Sequence, residues 1–322
     1  MNDDYGNNQN LDDAGQPEPE NPEQLEPTMS PVKAALYGLI LVFLLYQVGG
    51  SLLTLAIFGL DFENADINAV RLLTMCGQIL LILAPALMLA KLVYENVSAV
   101  IRFKLPSLKE IAVFSAGMFI LIPLMQNFLY IQNYLIHHLA LHYESVASVK
   151  SVMDNLYKLI TKTYLELLTA TNAVELILIV FVVAIVPSIC EEVFFRGFIQ
   201  KSFELKSQPF IAAFITAAFF GLYHFNPYGL IALIILGTYF GFAAYMSNSI
   251  AVPIFLHFLN NAVAIAAFYF YGSDDFLETN IIEIEHVGEQ FISFLILSSV
   301  FAIFIVFITN NYSRISSRRN RV

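Results

Sequence analysis

Long runs of apolar residues, separated by short polar connections, make up most of the chain after residue 32. A helix needs about 20 residues to cross the hydrocarbon core of a bilayer, and eight runs lie near or above this length. They cover residues 34–60, 70–94, 111–136, 173–205, 209–225, 230–246, 250–271 and 291–309. The pattern predicts an all-α fold, a polytopic bundle of about eight transmembrane helices.

Two segments depart from this pattern. Residues 137–172 place Lys150, Lys158 and Lys162 among periodic apolar residues, which is typical of an amphipathic helix at the membrane interface. Residues 1–32 are rich in Asn, Gln, Glu and Pro, a composition that predicts disorder. They also lack the features of a signal peptide, so the first apolar run is expected to remain in the mature protein.

These boundaries divide the chain into four parts. We predict a disordered acidic tail (1–32), three transmembrane helices with the interfacial segment (33–172), a transmembrane core (173–271), and a last transmembrane helix with a basic tail (272–322). No internal repeat is evident.

Composition agrees with a membrane protein and argues against a nucleic-acid partner. Hydrophobic residues form 58% of the chain and charged residues only 13%, whereas soluble domains carry roughly a quarter charged residues. The formal net charge is −10, but the segment before Lys33 contains eight acids and no base, so the remainder is close to neutral. No basic stripe that could bind nucleic acid exists outside the C-terminal tail.

The distribution of Lys and Arg predicts the orientation, because short cytoplasmic connections are enriched in these residues. Basic residues collect in two connections and at the C-terminus: Arg102, Lys104 and Lys109; Lys201 and Lys206; Arg314, Arg318, Arg319 and Arg321. With eight spans, all three groups fall on one side. We therefore predict a multi-pass protein of the cell membrane with both termini in the cytoplasm.

A few polar residues interrupt otherwise apolar helices, where each ionisable group costs roughly 2.5 kcal/mol or more. They fall in three segments: Glu191, Glu192 and Arg196; His224; and His257, Asn260 and Asn261. Residues four apart share a helix face, which pairs Glu192 with Arg196, Phe220 with His224, and His257 with Asn261. Glu191 lies about 100° from Glu192 around the helix, so the two carboxylates are expected to have different roles.

Counting from the turn near residues 206–209 predicts the depth of these groups. At about 1.5 Å per residue, Glu191 lies roughly 22 Å back along one helix and His224 roughly 23 Å along the next. In an antiparallel hairpin the two side chains are level. We expect His257 to reach a similar depth from the turn at Asn248.

These residues resemble the signature of the CAAX-protease and bacteriocin-processing family of intramembrane proteases, which includes the Ras-converting enzyme. That signature is a pair of Glu with an Arg five after the first, then Phe-x-x-x-His, then a His with an Asn four beyond. The chain contains the three parts in order, within residues 174–268: Glu191, Glu192 and Arg196; Phe220 and His224; His257 and Asn261.

The resemblance implies an endopeptidase that acts on a membrane-embedded peptide or a lipidated protein. Glu191 and His224 would activate a water molecule, and His257 and Asn261 would stabilise the oxyanion. Glu192 is a further catalytic candidate that would pair with Arg196, and Arg196, Phe220 and Asn260 are supporting candidates.

A second version of this mechanism uses a metal. Glu191, His224 and His257 match the three-ligand sets of hydrolytic zinc sites, with Glu192 left as the base. No HExxH sequence is present, and the metal-free glutamate mechanism is favoured, with no cofactor firmly predicted.

Two non-proteolytic functions are alternatives. The chain could be a bacteriocin-immunity or peptide-binding membrane protein that keeps the fold without catalysis. It could also be a proton-coupled transporter that uses the same carboxylates, although the sequence lacks inverted repeats and pairs of broken helices.

Overall fold

Nine long helices and one helical turn, Val97–Val100, make up the part of the chain that the computed structural model describes, residues 25–59, 65–278 and 286–316. No strand occurs among these residues. The helices are α1 (Pro31–Phe58), α2 (Ile67–Tyr94), α3 (Leu108–His142), α4 (Glu144–Leu168), α5 (Ala173–Glu204), α6 (Pro209–Tyr223), α7 (Leu230–Ser247), α8 (Ala251–Gly272) and α9 (Val287–Ile315).

Seven of these helices are long and apolar enough to span a bilayer, and α4 and α6 are the two that are not. α6 is apolar but has only 15 residues, or about 22 Å of helix, so it is shorter than the roughly 30 Å hydrocarbon core. Large apolar side chains point outward, as at Ile303, which is 70% exposed. The predicted polytopic all-α bundle is confirmed, and the chain is a multi-pass membrane protein.

Local sequence signals begin the helices where the structure places them. The Asp66 carboxylate accepts hydrogen bonds from two backbone amides at the start of α2, and Asn172 caps α5 in the same way. Ser107 and Glu110 form a reciprocal capping box at the start of α3. Such caps satisfy amides that have no partner inside the helix.

The predicted interfacial segment is divided between two helices. Residues 137–142 continue α3, because nothing before Tyr143 interrupts it, and the amphipathic helix is α4 alone. α3 has 35 residues, or about 52 Å, so it extends beyond the hydrocarbon core. α4 packs back along it.

α5 lies near the centre of the bundle, where it contacts α1, α2, α6 and α8. Its apolar side chains form one buried cluster with those of α1, α2 and α6. A second buried cluster joins α3, α7, α8 and α9. α5 is therefore surrounded by protein, which allows it to carry charged side chains.

Three connections meet at one end of the bundle. Arg102, which precedes α3, pairs with Glu204 at the end of α5. The amide of Ile250 donates to the carbonyl of Arg102 over 3.0 Å, and the Ser249 hydroxyl donates to the carbonyl of Lys104. These are the connections that the basic-residue pattern assigns to one side of the membrane.

Parts of the predicted tails lie outside the described residues. For the acidic tail these are residues 1–24, and for the basic tail they include Arg318, Arg319 and Arg321. The first helix begins at Pro31, two residues inside the segment predicted as tail. Just before it, the amide of Thr28 donates to the carbonyl of Val93 over 2.8 Å.

Candidate active site

The two adjacent carboxylates lie in the middle of α5, between two stretches of π-helix. These stretches cover Val180–Ile185 and Val193–Ile199, and the α-helical turn between them carries Glu191 and Glu192. A π-helical stretch changes the direction of the side chains that follow it, and such stretches are frequent at functional sites. Two further π-helical stretches lie in α1 and α2, at Leu44–Gly49 and Ile79–Leu83.

Glu192 is fully buried between two positively charged or ionisable partners. Its Oε1 atom lies 2.8 Å from Nη1 of Arg196 and 2.8 Å from Nδ1 of His257. The i, i+4 pair with Arg196 follows the sequence prediction, whereas the contact with His257 was not predicted. Glu192 thus connects α5 to α8, and its carboxylate is turned into the protein interior.

Arg196 is enclosed by aromatic rings and a backbone carbonyl. Its guanidinium carbon lies 4.4 Å from the ring centroid of Phe220 and 5.4 Å from that of Phe240, positions that favour a cation. Its Nη2 atom donates to the carbonyl of Gly237 over 3.2 Å. Phe220, a supporting candidate from the sequence, thus lies against the Arg196 guanidinium, while Phe240 and Gly237 were not singled out.

Glu191 and His224 face each other across a short gap. Nε2 of His224 lies 4.0 Å from Oε2 of Glu191, and both side chains keep some exposure. Nδ1 of His224 lies 2.7 Å from the carbonyl of Phe220, so this nitrogen carries the hydrogen. In neutral His224, Nε2 is then a hydrogen-bond acceptor, and Oε2 of Glu191 has no described hydrogen-bond partner.

Asn261 and Asn260 lie beyond His257 on α8, close to α5. Nδ2 of Asn261 donates to the carbonyl of Val183 over 2.8 Å. Nδ2 of Asn260 donates to Oδ1 of Asn261 over 3.1 Å. One amide hydrogen of Asn261 is therefore engaged with α5, and the second remains for another acceptor.

Three polar residues from α1, α2 and α4 complete the surroundings of Glu191. Tyr46 and Tyr164 lie within range of the negative charge of Glu191, and Gln78 lies beside the Tyr46 hydroxyl. The sequence analysis missed these residues because it considered mainly ionisable groups of the last helices. Gln78, a buried amide in an apolar helix, is the signal that could have found them.

The buried polar side chains of α5 continue in a line from the site towards the end of the helix. Glu192, Arg196, Gln200 and Glu204 follow at intervals of four. Nε2 of Gln200 donates to Oε1 of Glu204 over 2.8 Å and lies 2.9 Å from the carbonyl of Gly241. The line ends at the ion pair of Glu204 with Arg102.

The residues suggested as metal ligands do not converge. Within residues 25–59, 65–278 and 286–316, no three His, Cys, Asp or Glu side chains are grouped so as to hold a metal ion. His257 bonds to Glu192, whereas Glu191 faces His224.

An apolar groove of about 510 Å³ opens beside His224. One wall is α1, with Leu39, Ile40 and Phe43, and the other is formed by residues between Phe219 and Leu230. Hydrogen bonds join the walls, because the Tyr223 hydroxyl donates to the carbonyl of Leu39 over 2.5 Å. The groove can hold an aliphatic chain or an apolar peptide segment, and its lining includes Tyr223 and Phe225, the sequence neighbours of His224, but neither His224 nor Glu191.

Comparison with known proteins identifies the segment that carries the site. Residues 173–263 match the family described as type II CAAX prenyl endopeptidase, Rce1-like. The match includes every candidate residue from Glu191 to Asn261 and agrees with the resemblance stated from the sequence. No curated protein and no solved structure matches the chain.

Proposed function

Because residues 173–263 belong to the CAAX-protease and bacteriocin-processing family of intramembrane proteases, we propose that this chain hydrolyses a peptide bond of a membrane-associated substrate at Glu191 and His224. The single observation that carries the proposal is the pair of facing acceptors, Nε2 of His224 and Oε2 of Glu191, separated by 4.0 Å. Two acceptors cannot bond to each other, but one water molecule can donate a hydrogen to each. An oxygen about 2.8 Å from both atoms fits this separation.

Glu191 is the general base in the proposed reaction. The water held by Glu191 and His224 loses a proton to the Glu191 carboxylate as its oxygen attacks the scissile carbonyl carbon. When the carbon–nitrogen bond breaks, the same proton passes to the leaving amine. The products are a carboxylate and an amine, and Glu191 returns to its starting state.

His257 and Asn261 are the proposed donors to the oxyanion. Nδ1 of His257 lies 2.8 Å from Oε1 of Glu192, so Nε2 is the ring nitrogen left to face the oxyanion. In this proposal Glu192 holds the His257 ring in position.

The groove beside His224 supports an apolar or lipid-modified substrate. Its walls are almost entirely apolar, and two of its lining residues, Tyr223 and Phe225, flank His224 in the sequence. A prenylated or otherwise lipidated peptide, or the apolar end of a membrane-embedded peptide, has the required chemistry.

The test is cleavage of membrane peptides by purified protein in proteoliposomes, with wild type and Glu191→Gln compared. We expect the substitution to lower the rate about 100-fold or more, since general-base catalysis contributes this much. Glu289→Gln, at an 80% exposed carboxylate on α9, is the matched control and should cleave at the wild-type rate. Equal cleavage by Glu191→Gln would remove Glu191 from the mechanism.

The substrate can be sought in the same comparison. Membrane fractions from cells with wild-type protein and with Glu191→Gln should differ in peptides that change length. A biological effect that persists in both Glu191→Gln and His224→Ala cells, without any change in peptides, would instead support a non-catalytic immunity or peptide-binding role.

Metal content separates the two forms of the mechanism. The proposed glutamate mechanism predicts full activity in protein that contains substoichiometric zinc and has been treated with a chelator. About one zinc per chain, lost together with activity, would contradict it.

A further inference from the structure

A second cavity, which we call the polar pocket, lies between α3, α4 and the connection of residues 224–229. Its volume is about 620 Å³. Most of its walls come from one face of α4, and Asn133 and Tyr228 close it from the other two elements. Its lining residues are Asn133, Lys150, Asp154, Tyr157, Lys158, Thr161, Lys162, Leu165, Glu166 and Tyr228. Neither the family match nor the proposed reaction uses this cavity.

Large apolar side chains are exposed on the outer side of α4, and a stripe of polar side chains lines the pocket on its other side. Val149, Val152 and Leu159 lie on its outer face and are 59%, 60% and 63% exposed. At 100° per residue, this face is roughly opposite to the stripe of Lys150, Asp154 and Lys158 that lines the pocket. Exposed Thr163 and Glu166 share this side of α4, so the outer side is mixed, and its apolar side chains can contact lipid beside the pocket.

Charges in the pocket are only partly neutralised. Lys150 donates to Asp154 over 2.7 Å, and the Tyr228 hydroxyl donates to the same carboxylate over 2.5 Å. Partial burial opposes ionisation of Asp154, but these two hydrogen bonds prevail and lower its pKa. Asp154 is therefore an anion, and its carboxylate accepts hydrogen bonds from Lys150 and Tyr228.

Lys158 and Thr161 have polar groups that no described residue engages directly. Lys158 has only a longer-range attraction to Asp154. Thr161 is 8% exposed, and no described residue forms a hydrogen bond with its hydroxyl. Oδ1 of Asn133 also lacks a partner. The exposed ammonium group of Lys158, a buried hydroxyl and an amide thus line one cavity, together with the cation Lys162 and the anion Glu166.

We propose that the polar pocket binds the phosphate group of an anionic phospholipid. A phosphate offers a negative charge to Lys158 and acceptor oxygens to Thr161, and it can also accept from the Asn133 amide group when that amide is rotated. The acyl chains would lie along the outer face of α4, where Val152 and Leu159 are exposed. Basic pockets between transmembrane helices are suited to lipid headgroups.

The pocket is joined to the loop that follows His224. The side chain of Tyr228 bonds to Asp154, and its carbonyl accepts from Nε2 of Gln132 over 2.9 Å. A bound headgroup would therefore hold α3 and α4 against the connection that begins at His224. This site is separate from the proposed reaction and stands whether or not the chain cleaves peptides.

Lipid binding to the full-length protein is the direct test. Purified protein is titrated with phosphatidylglycerol in phosphatidylcholine nanodiscs, and bound lipid is counted by native mass spectrometry. We expect Lys158→Gln to weaken phosphatidylglycerol binding about five-fold, the contribution of one lysine to an anionic headgroup. Thr161→Val should weaken it as well, by a smaller factor.

The matched control is Lys109→Gln, which removes an exposed lysine from the opposite end of α3 and should leave binding unchanged. Melting temperatures of all variants in detergent check that the fold is retained. Unchanged binding in both Lys158→Gln and Thr161→Val would overturn the proposal.

Two competitors distinguish other occupants of the same pocket. If glycerol 3-phosphate displaced the lipid at an equal concentration, the natural ligand of the pocket would be a soluble phosphate compound rather than a lipid. A peptide with a free C-terminal carboxylate that bound in the pocket while phosphatidylglycerol did not would assign it to a peptide. Either result would overturn the lipid assignment, whereas failure of both competitors supports it.

Discussion

Glu191 and Glu192 are neighbours in sequence but lie in different environments. The Glu192 carboxylate is fully buried and shared between Arg196 and His257. The Glu191 carboxylate keeps some exposure and faces His224 across a gap. Rotation of about 100° between successive residues of a helix is enough to divide the pair into one carboxylate that is engaged by protein and one whose Oε2 atom is buried without a hydrogen-bond partner.

This difference predicts that the same substitution lowers stability strongly at position 192 and only slightly at position 191. Glu192→Gln removes the negative charge from a buried cluster and leaves Arg196 uncompensated, which should lower the free energy of unfolding by about 3–5 kcal/mol. Glu191→Gln should change stability little, because Oε2 of Glu191 has no partner to lose. Unfolding in detergent by heat or sodium dodecyl sulfate gives both values, and an equal loss at both positions would contradict the assignment.

Contacts within one helix were predictable from the sequence, and contacts between helices were not. The spacing of Glu192 and Arg196 predicted their pair, because the geometry of one turn fixes it. The bond of His257 to Glu192 depends on the rotation of α8 against α5, which residue counting does not provide. The equal depth of Glu191 and His224 was predictable, because it depends only on the number of residues between each side chain and the turn that joins two antiparallel helices.

At the scale of helices, close approach of α7 to α5 and α6 depends on two glycines one turn apart. A Cβ atom on Gly237 would lie 3.0 Å from Nη2 of Arg196, and one on Gly241 would lie 2.6 Å from Oε1 of Gln200 and 2.8 Å from Cβ of Ala213. All three distances are below ordinary van der Waals contact. The glycines therefore leave room for the buried polar line of α5.

Gly241→Ala tests this packing. The added methyl group meets Ala213, which has no flexible side chain to move away, so we expect a loss of stability of about 1–3 kcal/mol. Gly77→Ala on α2 is the matched control, because its nearest contact would be 3.8 Å, and alanine favours helix by up to about 1 kcal/mol. Melting temperatures in one detergent compare the two, and a Gly241→Ala protein as stable as Gly77→Ala would refute the tight packing.

The sequence predicted the number and order of apolar helices well, but their ends less well. The fifth apolar run was expected to end at residue 225, yet α6 ends at Tyr223, since His224 caps it and Phe225 has a positive φ of 51°. α3 continues beyond the predicted end of its apolar run because polar residues can remain helical outside the hydrocarbon core. Hydropathy records the lipid environment of a residue rather than its backbone conformation.

For the whole molecule, the sequence predicted which connections share a side, and the structure adds that they touch. The pairing of Arg102 with Glu204 and the bond of Ile250 to Arg102 join residues that lie far apart in sequence. Contacts between these loops are not encoded in any local pattern. These contacts nevertheless require the connections to lie on the same side of the membrane, which agrees with the distribution of Lys and Arg.

We therefore predict that both ends of the chain and the turn between α5 and α6 face the cytoplasm, while the turn between α3 and α4 faces the other side. Single cysteines at Ser207, Ser316 and Glu144 test this in a Cys76→Ser background, which removes the exposed native cysteine and leaves Cys190 buried. A membrane-impermeant maleimide should label Glu144→Cys in intact cells. It should label Ser207→Cys and Ser316→Cys only after permeabilisation, and the cysteine-depleted background serves as the blank. α3 crosses the bilayer between residues 107 and 143, so labelling of Glu144→Cys and Ser207→Cys from the same side would contradict the arrangement of the helices in the membrane. Labelling of Ser207→Cys and Ser316→Cys, but not Glu144→Cys, in intact cells would contradict only the predicted orientation of the protein.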